Sequence, residues 1–262
     1  MIHFIVATSS EARPIIDIFN LNKTKIDSSN IYNNNEISLT ISGIGKINSA
    51  VGVTQTFYEF KKNYNNIWIN IGLAGHKFLK IGDMSLVHKI KDNSSQKSFF
   101  TFVGDFDIQS FECLTCDNEN KNYSNDLFDM ECSGFFESAK RFSTKELIQS
   151  LKIVSDNQSK SINFKNKKEI YDLIFYHRQT LKDFSNYFLK LRQSCLANLD
   201  QYINEQFDLV FNEKNFTFTE SQQMKLLLKF YFTKFNNLDK SMFNPSKNGS
   251  FNIKIIKKFL NL

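Results

Sequence analysis

The hydrophobic pattern of residues 1–158 alternates between strand-like and helical segments. The first apolar run, residues 2–7, is followed by Thr8-Ser-Ser, residue types that cap helices, and then by apolar residues at helical spacing. Further strands are predicted at 36–41, 67–71, 84–90, 99–103, 108–116, 127–130 and 151–154, and helices at 46–60 and 132–142. This order predicts a mainly parallel α/β sheet flanked by helices, in which ligands bind beyond the carboxyl ends of the strands.

Residues 159–262 have a different pattern, that of amphipathic helices. Apolar side chains recur at spacings of three and four from Leu181 to Leu199, which predicts one long helix from about residue 168 to 202. Thr219-x-x-Gln222 has the form of a capping box and predicts a second helix from about residue 219 to 236. Ser143-x-x-Glu146 has the same form and predicts a short helix earlier in the chain.

The net charge of +6 is distributed unevenly between these two parts. Residues 1–158 hold 16 Lys and Arg against 18 Asp and Glu, whereas residues 159–262 hold 17 against 9. We therefore predict an α/β domain at 1–158 and a helical extension at 159–262, with the first long helix packed on the sheet of the α/β domain. An excess of eight positive charges can bind phosphate groups weakly. The chain has no DNA- or RNA-binding motif, so we expect these charges to solvate helices and do not expect a nucleic-acid partner.

Composition excludes several classes of protein. Hydrophobic residues make up 41% of the chain and charged residues 23%, which is typical of a folded globular protein and not of a disordered one. No apolar run approaches the roughly 18 to 20 residues that span a bilayer, and the first strand is too short for a secretory signal. We therefore expect a cytoplasmic protein without a membrane partner.

Four cysteines do not form a disulfide framework in a chain of 262 residues. Cys113 and Cys116 have C-x-x-C spacing, but the sequence offers no second pair and no nearby histidine cluster. We interpret them as buried free thiols of a reducing compartment, and we expect neither a metal nor a cofactor.

Three acidic residues stand where predicted strands end: Glu11, Glu131 and Asp156. Because the carboxyl ends of parallel strands share one edge of a sheet, these side chains are expected to converge on one ligand. Carboxylates in different environments can divide the work of acid and base. Each alone is also typical of a first-turn acid that interacts with a helix dipole.

Together with the glycine-rich turns, these acids form a recognisable series of motifs. In chain order they are Ala7-Thr-Ser-Ser-Glu11, Ser42-Gly-Ile-Gly-Lys46, Asn70-Ile-Gly-Leu-Ala-Gly75, Ile81-Gly-Asp83, Asp129-Met-Glu131 and Val154-Ser-Asp156. Over residues 1–157 the chain resembles the nucleoside phosphorylase/hydrolase superfamily, and most of all its methylthioadenosine/S-adenosylhomocysteine nucleosidases. The resemblance implies a three-layer α/β/α sandwich with a central mixed sheet, and a homo-oligomer, expected here to be a dimer.

The resemblance also implies roles for individual residues. Asp156 would be the general acid at purine N7, Glu11 would activate the attacking water, and Glu131 would bind the ribose hydroxyls with Met130 packed against the sugar. The remaining residues expected to contact or orient the substrate or the acid are Thr8, Ala74, Gly75, Lys152 and Ser155.

The chain departs from the family pattern at three places. Lys152 stands where the family usually has an arginine, and Leu73 stands where it usually has a small polar residue. The segment between Cys116 and Glu131 is short, and it normally carries an aromatic residue that stacks on the base. Tyr123 is the candidate for that role, and a solvent-facing loop tyrosine is the alternative.

Hydrolysis is expected in preference to phosphorolysis. A phosphate site typically needs arginine side chains, but residues 1–158 contain only Arg13 and Arg141, and Glu11 would repel phosphate. The sequence therefore predicts an N-ribosyl hydrolase of a purine nucleoside that resembles a 5′-substituted adenosine. A phosphate-dependent phosphorylase that uses Arg13 and a non-catalytic nucleoside-binding protein remain alternatives.

Overall fold

The computed structural model describes residues 1–24, 30–60, 65–120, 122–211, 213–232, 235 and 238–260. The strands are β1 (Ile2–Val6), β2 (Asn22–Lys23), β3 (Ile31–Asn33), β4 (Ile37–Ile41), β5 (Ile67–Gly75), β6 (Met84–Asp92), β7 (Ser98–Phe100), β8 (Ser110–Thr115), β9 (Leu127–Asp129) and β10 (Ile148–Asp156). The helices are α1 (Ser9–Phe19), α2 (Lys46–Glu59), α3 (Cys132–Ala139), α4 (Lys167–Phe175), α5 (Arg178–Val210), α6 (Phe218–Phe232) and α7 (Gly249–Leu260). None of these helices is long and apolar enough to cross a lipid bilayer.

The strands form one mixed sheet that closes on itself at one end. Strands β4, β1, β5 and β10 are successive parallel neighbours, and β3 and β2 continue the sheet beyond β4. Strand β10 also pairs with β6, and the path continues through β8 and β9 back to β5, so that five strands form a ring.

The expectation that all three acids follow parallel strands is wrong for Glu131. Strand β9 runs antiparallel to β5, and the two strands meet only at Phe128 and Gly75. Because Gly75 is the last residue of β5, Glu131 still lies at the edge where β1, β5 and β10 end. The strand that precedes Glu131 is therefore short and antiparallel to β5, where a parallel strand was expected.

Alternate residues of the strands pack into separate cores on the two faces of the sheet. Phe4 and Ile69 belong to a core with buried residues of α1, α4 and the first turns of α5, up to Phe188. Ile5 and Trp68 belong to a second core with buried residues of α2 and α3. The period of two along a strand places helices on both faces, and the predicted three-layer α/β/α sandwich is confirmed.

The chain divides into two compact units, Met1–Arg192 and Gln193–Leu262. In the second unit, residues from the end of α5, from α6 and from α7 form a core of their own, which includes Phe207, Leu228 and Ile256. The predicted boundary near residue 158 marks a change of charge and composition, whereas the compact unit ends 34 residues later. The division into a catalytic domain and an extension remains a prediction.

Helix boundaries in the second half differ from the sequence prediction. In place of one helix over 168–202, the structure has α4 and α5, separated at Tyr176 and His177. Helix α6 is capped by Thr217, whose hydroxyl accepts from Glu220 N, rather than by Thr219. The capping box predicted at Ser143 does not form, because the Ser143 hydroxyl donates to the Asn66 carbonyl oxygen instead, and only a 3₁₀ turn (Lys145–Leu147) follows.

Candidate active site

A cavity of about 480 Å³ lies at the carboxyl edge of the sheet. Its volume is in the range of small-molecule sites. The eight predicted site residues that line it are Thr8, Glu11, Ala74, Gly75, Met130, Glu131, Ser155 and Asp156. The sequence-predicted acids are therefore brought together, whereas Lys152 and the base-stacking candidate Tyr123 are not among the lining residues. Every charged side chain in the described lining is a carboxylate.

Glu11 is fixed by the first turn of α1 and by the end of β5. Its Oε2 accepts from the Thr8 N–H and hydroxyl, both at 2.8 Å, and Thr8 Oγ1 accepts from Glu11 N, which completes a capping box. Its Oε1 accepts from Leu73 N at 3.1 Å. The helix cap thus uses Oε2, and Oε1 keeps a lone pair that can accept a proton from a water molecule.

Glu131 follows β9 and lies at the start of α3. Its Oε1 accepts from Gly45 N at 2.8 Å, and Gly45, which precedes α2, has a positive φ of 101°. Burial raises the pKa of Glu131 to about 7, and the charge of Asp129 acts in the same direction, against Lys152 and the Gly45 N–H. The side chain therefore changes its charge near neutral pH.

Asp156 is the last residue of β10, where the pairing with β5 is interrupted by a bulge. Its Oδ1 accepts from Ser155 Oγ at 2.5 Å, and its Oδ2 accepts from the Tyr123 hydroxyl. Both carboxyl oxygens are thus held by hydroxyl donors from this chain. The Tyr123 ring also packs edge-on against Phe128, with ring centroids 6.1 Å apart.

Lys152 lies beneath the cavity and is fully buried. Its Nζ lies 2.7 Å from Asp129 Oδ2 and donates to Asn70 Oδ1 at 2.7 Å. Burial alone would lower the pKa of Lys152, but the charge of Asp129 and of other neighbours outweighs it and raises that pKa. Lys152 is not among the residues that line the cavity. It acts on the site through its buried partners and through its charge, which lowers the pKa of Glu131.

Asp129 is a site residue that the sequence analysis did not single out. Besides Lys152, it binds Thr115 Oγ1 through Oδ1 at 2.8 Å, and its Oδ2 accepts from the N–H groups of Glu131 and Cys132. The Asp-x-x-Cys spacing before α3 was the available signal, since Asp is a preferred residue ahead of a helix. Asp129 fixes the backbone that presents Met130 and Glu131.

One buried group could in principle hold a metal ion. The ligand atoms of Cys113, Asp129 and Cys132 lie within 4.8 Å of one another. The ammonium group of Lys152 already binds Asp129, and burial raises the pKa of the Cys113 thiol, so the cluster offers little negative charge to a second cation. All four cysteines are free thiols, and Cys113 approaches Cys132 rather than Cys116.

Comparison with known proteins identifies the fold. No family model and no curated protein matches the chain. Among solved structures, it matches a 5′-methylthioadenosine nucleosidase from Arabidopsis thaliana with a TM-score of 0.59 and 16% identity, over 71% of this chain and 95% of that one. The chain shares the fold of the methylthioadenosine nucleosidases.

Two further structures give the same result. The 5′-methylthioadenosine/S-adenosylhomocysteine nucleosidase from Campylobacter jejuni matches with a TM-score of 0.56 and 16% identity, over 69% of this chain and 96% of that one. The nucleosidase from S. pneumoniae with a transition-state inhibitor matches with a TM-score of 0.52 and 18% identity, over 72% and 98%. The resemblance predicted from the motifs is confirmed at the level of the fold.

Proposed function

We propose that this chain hydrolyses the N-glycosidic bond of a purine nucleoside. One observation carries the proposal: Glu11, Glu131 and Asp156 line a single cavity whose described lining contains no basic side chain. The matched structures are named as nucleosidases of methylthioadenosine and S-adenosylhomocysteine, which supports a 5′-substituted adenosine as the substrate class.

The proposed reaction gives each of the three acids a separate role. As the bond between ribose C1′ and purine N9 breaks, Asp156 protonates N7 of the leaving base, with Ser155 orienting the carboxyl group. Glu11 accepts a proton through Oε1 from the water whose oxygen attacks C1′. Nearby carboxylates stabilise the positive charge that develops on the sugar.

Glu131 is assigned to the ribose hydroxyls, with Met130 beside it against the sugar. Since hydroxyl groups donate to a carboxylate, binding of ribose favours the ionised form of Glu131. Asp129 and Lys152 contribute by holding the backbone of this turn. Lys152 is thus a positioning residue in this mechanism.

Water is the nucleophile that best fits this cavity. Arg13 is exposed and paired with Asp17, Arg141 is exposed, and neither belongs to the described lining. Residues 1–158 contain only these two arginines, and neither lies where it could bind a phosphate in the cavity. A phosphate dianion would instead meet carboxylates.

A second copy of the chain is proposed to cover one face of α2. Ile44, Ile47 and Val51 are exposed by 55%, 80% and 48%, and their spacing of three and four residues places them on one side of the helix and its entry. Ile44 also lines the cavity. A homodimer formed on this face would close the cavity at Ile44.

A cytoplasmic location is also proposed, because the four cysteines are free thiols, as in proteins of a reducing compartment.

The direct test is a panel of nucleosides with product analysis. 5′-Methylthioadenosine, S-adenosylhomocysteine, adenosine and inosine are incubated with the full chain, with and without phosphate, and both base and sugar are identified. We expect release of base and free sugar at the same rate in both buffers. Strict dependence on phosphate with a sugar 1-phosphate product would establish a phosphorylase, and binding without cleavage would establish a nucleoside-binding protein.

A further inference from the structure

The hydroxyl of Tyr123 is hydrogen-bonded to Asp156 Oδ2, the oxygen that a purine base would have to reach. Ser155 holds Asp156 Oδ1, so Oδ2 is the oxygen left for a ligand, and the Tyr123 hydroxyl donates to it. The phenol oxygen therefore occupies, beside Asp156 Oδ2, the place that the mechanism assigns to N7 of the base.

The ring of Tyr123 lies against the end of β5 on the same side. A Cβ atom on Gly75 would stand 2.6 Å from Tyr123 Cε1 and 2.7 Å from Asp156 Oδ2. Such distances are far inside van der Waals contact, so only glycine allows the phenol ring and the acid to meet over this strand. Gly75 itself lines the cavity.

Two features keep this phenol in place as a donor. Burial and the neighbouring Asp156 raise the pKa of Tyr123, so its hydroxyl stays protonated at working pH. The residues that follow are tied to the segment after β5: Lys77 N donates to the Ser124 carbonyl oxygen at 3.2 Å. His76 Nδ1 accepts from the Phe78 and Leu79 N–H groups, so its Nε2 carries the proton and donates to the Asn125 carbonyl oxygen at 3.1 Å.

We propose that Tyr123 is a gating residue for the base. Its hydroxyl competes with the purine for Asp156 Oδ2, and the base binds only after the side chain rotates away from the acid. Because Ser124 and Asn125 are anchored, the movement is a side-chain rotation, after which the ring is free to pack on the base. This inference rests on the proposed function, since it takes a purine as the occupant of the cavity.

The test separates the hydroxyl from the ring. Adenine binding is measured by isothermal titration calorimetry, and steady-state kinetics are measured on the best nucleoside of the panel, for wild type and Tyr123→Phe. A hydrogen bond that must be broken before binding is worth a factor of about 2 to 10. We expect Tyr123→Phe to bind adenine about 2- to 10-fold more tightly, with a matching fall in KM.

Tyr171→Phe is the matched control, because the Tyr171 hydroxyl also donates to an aspartate, Asp17, at 3.2 Å, and neither residue lines the cavity. It should leave adenine affinity and KM unchanged. Equal or weaker adenine binding by Tyr123→Phe, with wild type binding adenine, overturns the gate while the proposed function stands. If wild type neither binds adenine nor cleaves a nucleoside, the proposed function fails, and the gate fails with it.

Discussion

Asp129 holds the turn that carries Met130 and Glu131 at the edge of the cavity. Its carboxylate accepts from two backbone N–H groups and from Thr115, and it pairs with the fully buried Lys152. Removing one partner of such a buried pair leaves an uncompensated charge. The three acids that follow predicted strands line one cavity, and this grouping could be expected because strand ends can be read locally. Asp129, whose partners lie at positions 115 and 152, was not singled out in this way.

Glu131 gives a pH-dependent prediction at the same scale. Its pKa is raised in the folded protein to about 7, above the ordinary value of 4.5. Its contribution to the free energy of unfolding is therefore largest below about pH 4.5 and is lost as the pH rises through about 7. Glu131→Gln has no carboxyl group to ionise and so does not lose stability in this way. The thermal stability of the variant relative to wild type should therefore increase from pH 5 to pH 8.

The measurement is the midpoint of thermal unfolding at several pH values without ligand. Glu137→Gln, at a half-buried position of α3 with an ion pair to Lys97, is the control and should show no such trend. A difference between Glu131→Gln and wild type that stays constant from pH 5 to pH 8 would contradict the raised pKa of Glu131.

At the scale of elements, the packing of α2 on α3 positions both ends of the Gly45–Glu131 hydrogen bond. The helices meet at Gly134, where a Cβ atom would lie 2.1 Å from the carbonyl oxygen of Lys46. Backbone cannot yield as a flexible side chain does, so Gly134→Ala must push the helices apart. Overpacking of this kind typically costs about 1–3 kcal/mol.

We therefore expect Gly134→Ala to lower the free energy of unfolding by at least about 1 kcal/mol and to reduce nucleoside turnover through the displaced Glu131. Urea denaturation measures the first effect and base release the second. Glu137→Ala, three residues further along α3 at a half-buried position, should change neither by a comparable amount. A fully stable and active Gly134→Ala would show that α2 and α3 do not set the position of Glu131.

Helix starts illustrate what local sequence can and cannot decide. Thr217-x-x-Glu220 and Thr219-x-x-Gln222 both have the form of a capping box, and the helix uses the first. The break between α4 and α5 also escaped prediction, because the apolar spacing continues through Tyr176 and His177. There the His177 ring makes a hydrogen bond to the Gly82 carbonyl oxygen, a partner 95 residues away. Tertiary contacts of this kind decide element boundaries.

At the scale of the whole molecule, the core on one face of the sheet includes residues beyond position 158. Ile170, Ile174, Leu181, Phe184 and Phe188 belong to the same buried cluster as the strands, and all lie in the unit Met1–Arg192. A fragment of residues 1–157 would expose the surface that they cover and should be insoluble. A fragment of residues 1–192 should be soluble and unfold cooperatively.

Solubility and circular dichroism melts of the two fragments check this prediction. A soluble, active 1–157 fragment would contradict it and would support a boundary near residue 158. The unit 193–262 holds nine Lys against six Asp and Glu, an excess of three, so most of the positive charge of residues 159–262 lies before it. This distribution weakens the argument for nucleic-acid binding by a separate basic module.

The central claim is that this cavity breaks a glycosidic bond with Asp156 as the acid. The most direct measurement is the rate of purine-base release in phosphate-free buffer by wild type and by Asp156→Asn, with Asp107→Asn at an exposed position outside the cavity as the control. We expect release by wild type and by the control, and a loss of about 10²–10⁴ for Asp156→Asn with an unchanged unfolding midpoint, because the asparagine amide keeps the shape of the side chain but cannot transfer a proton to the base. Turnover by Asp156→Asn at the wild-type rate would contradict it.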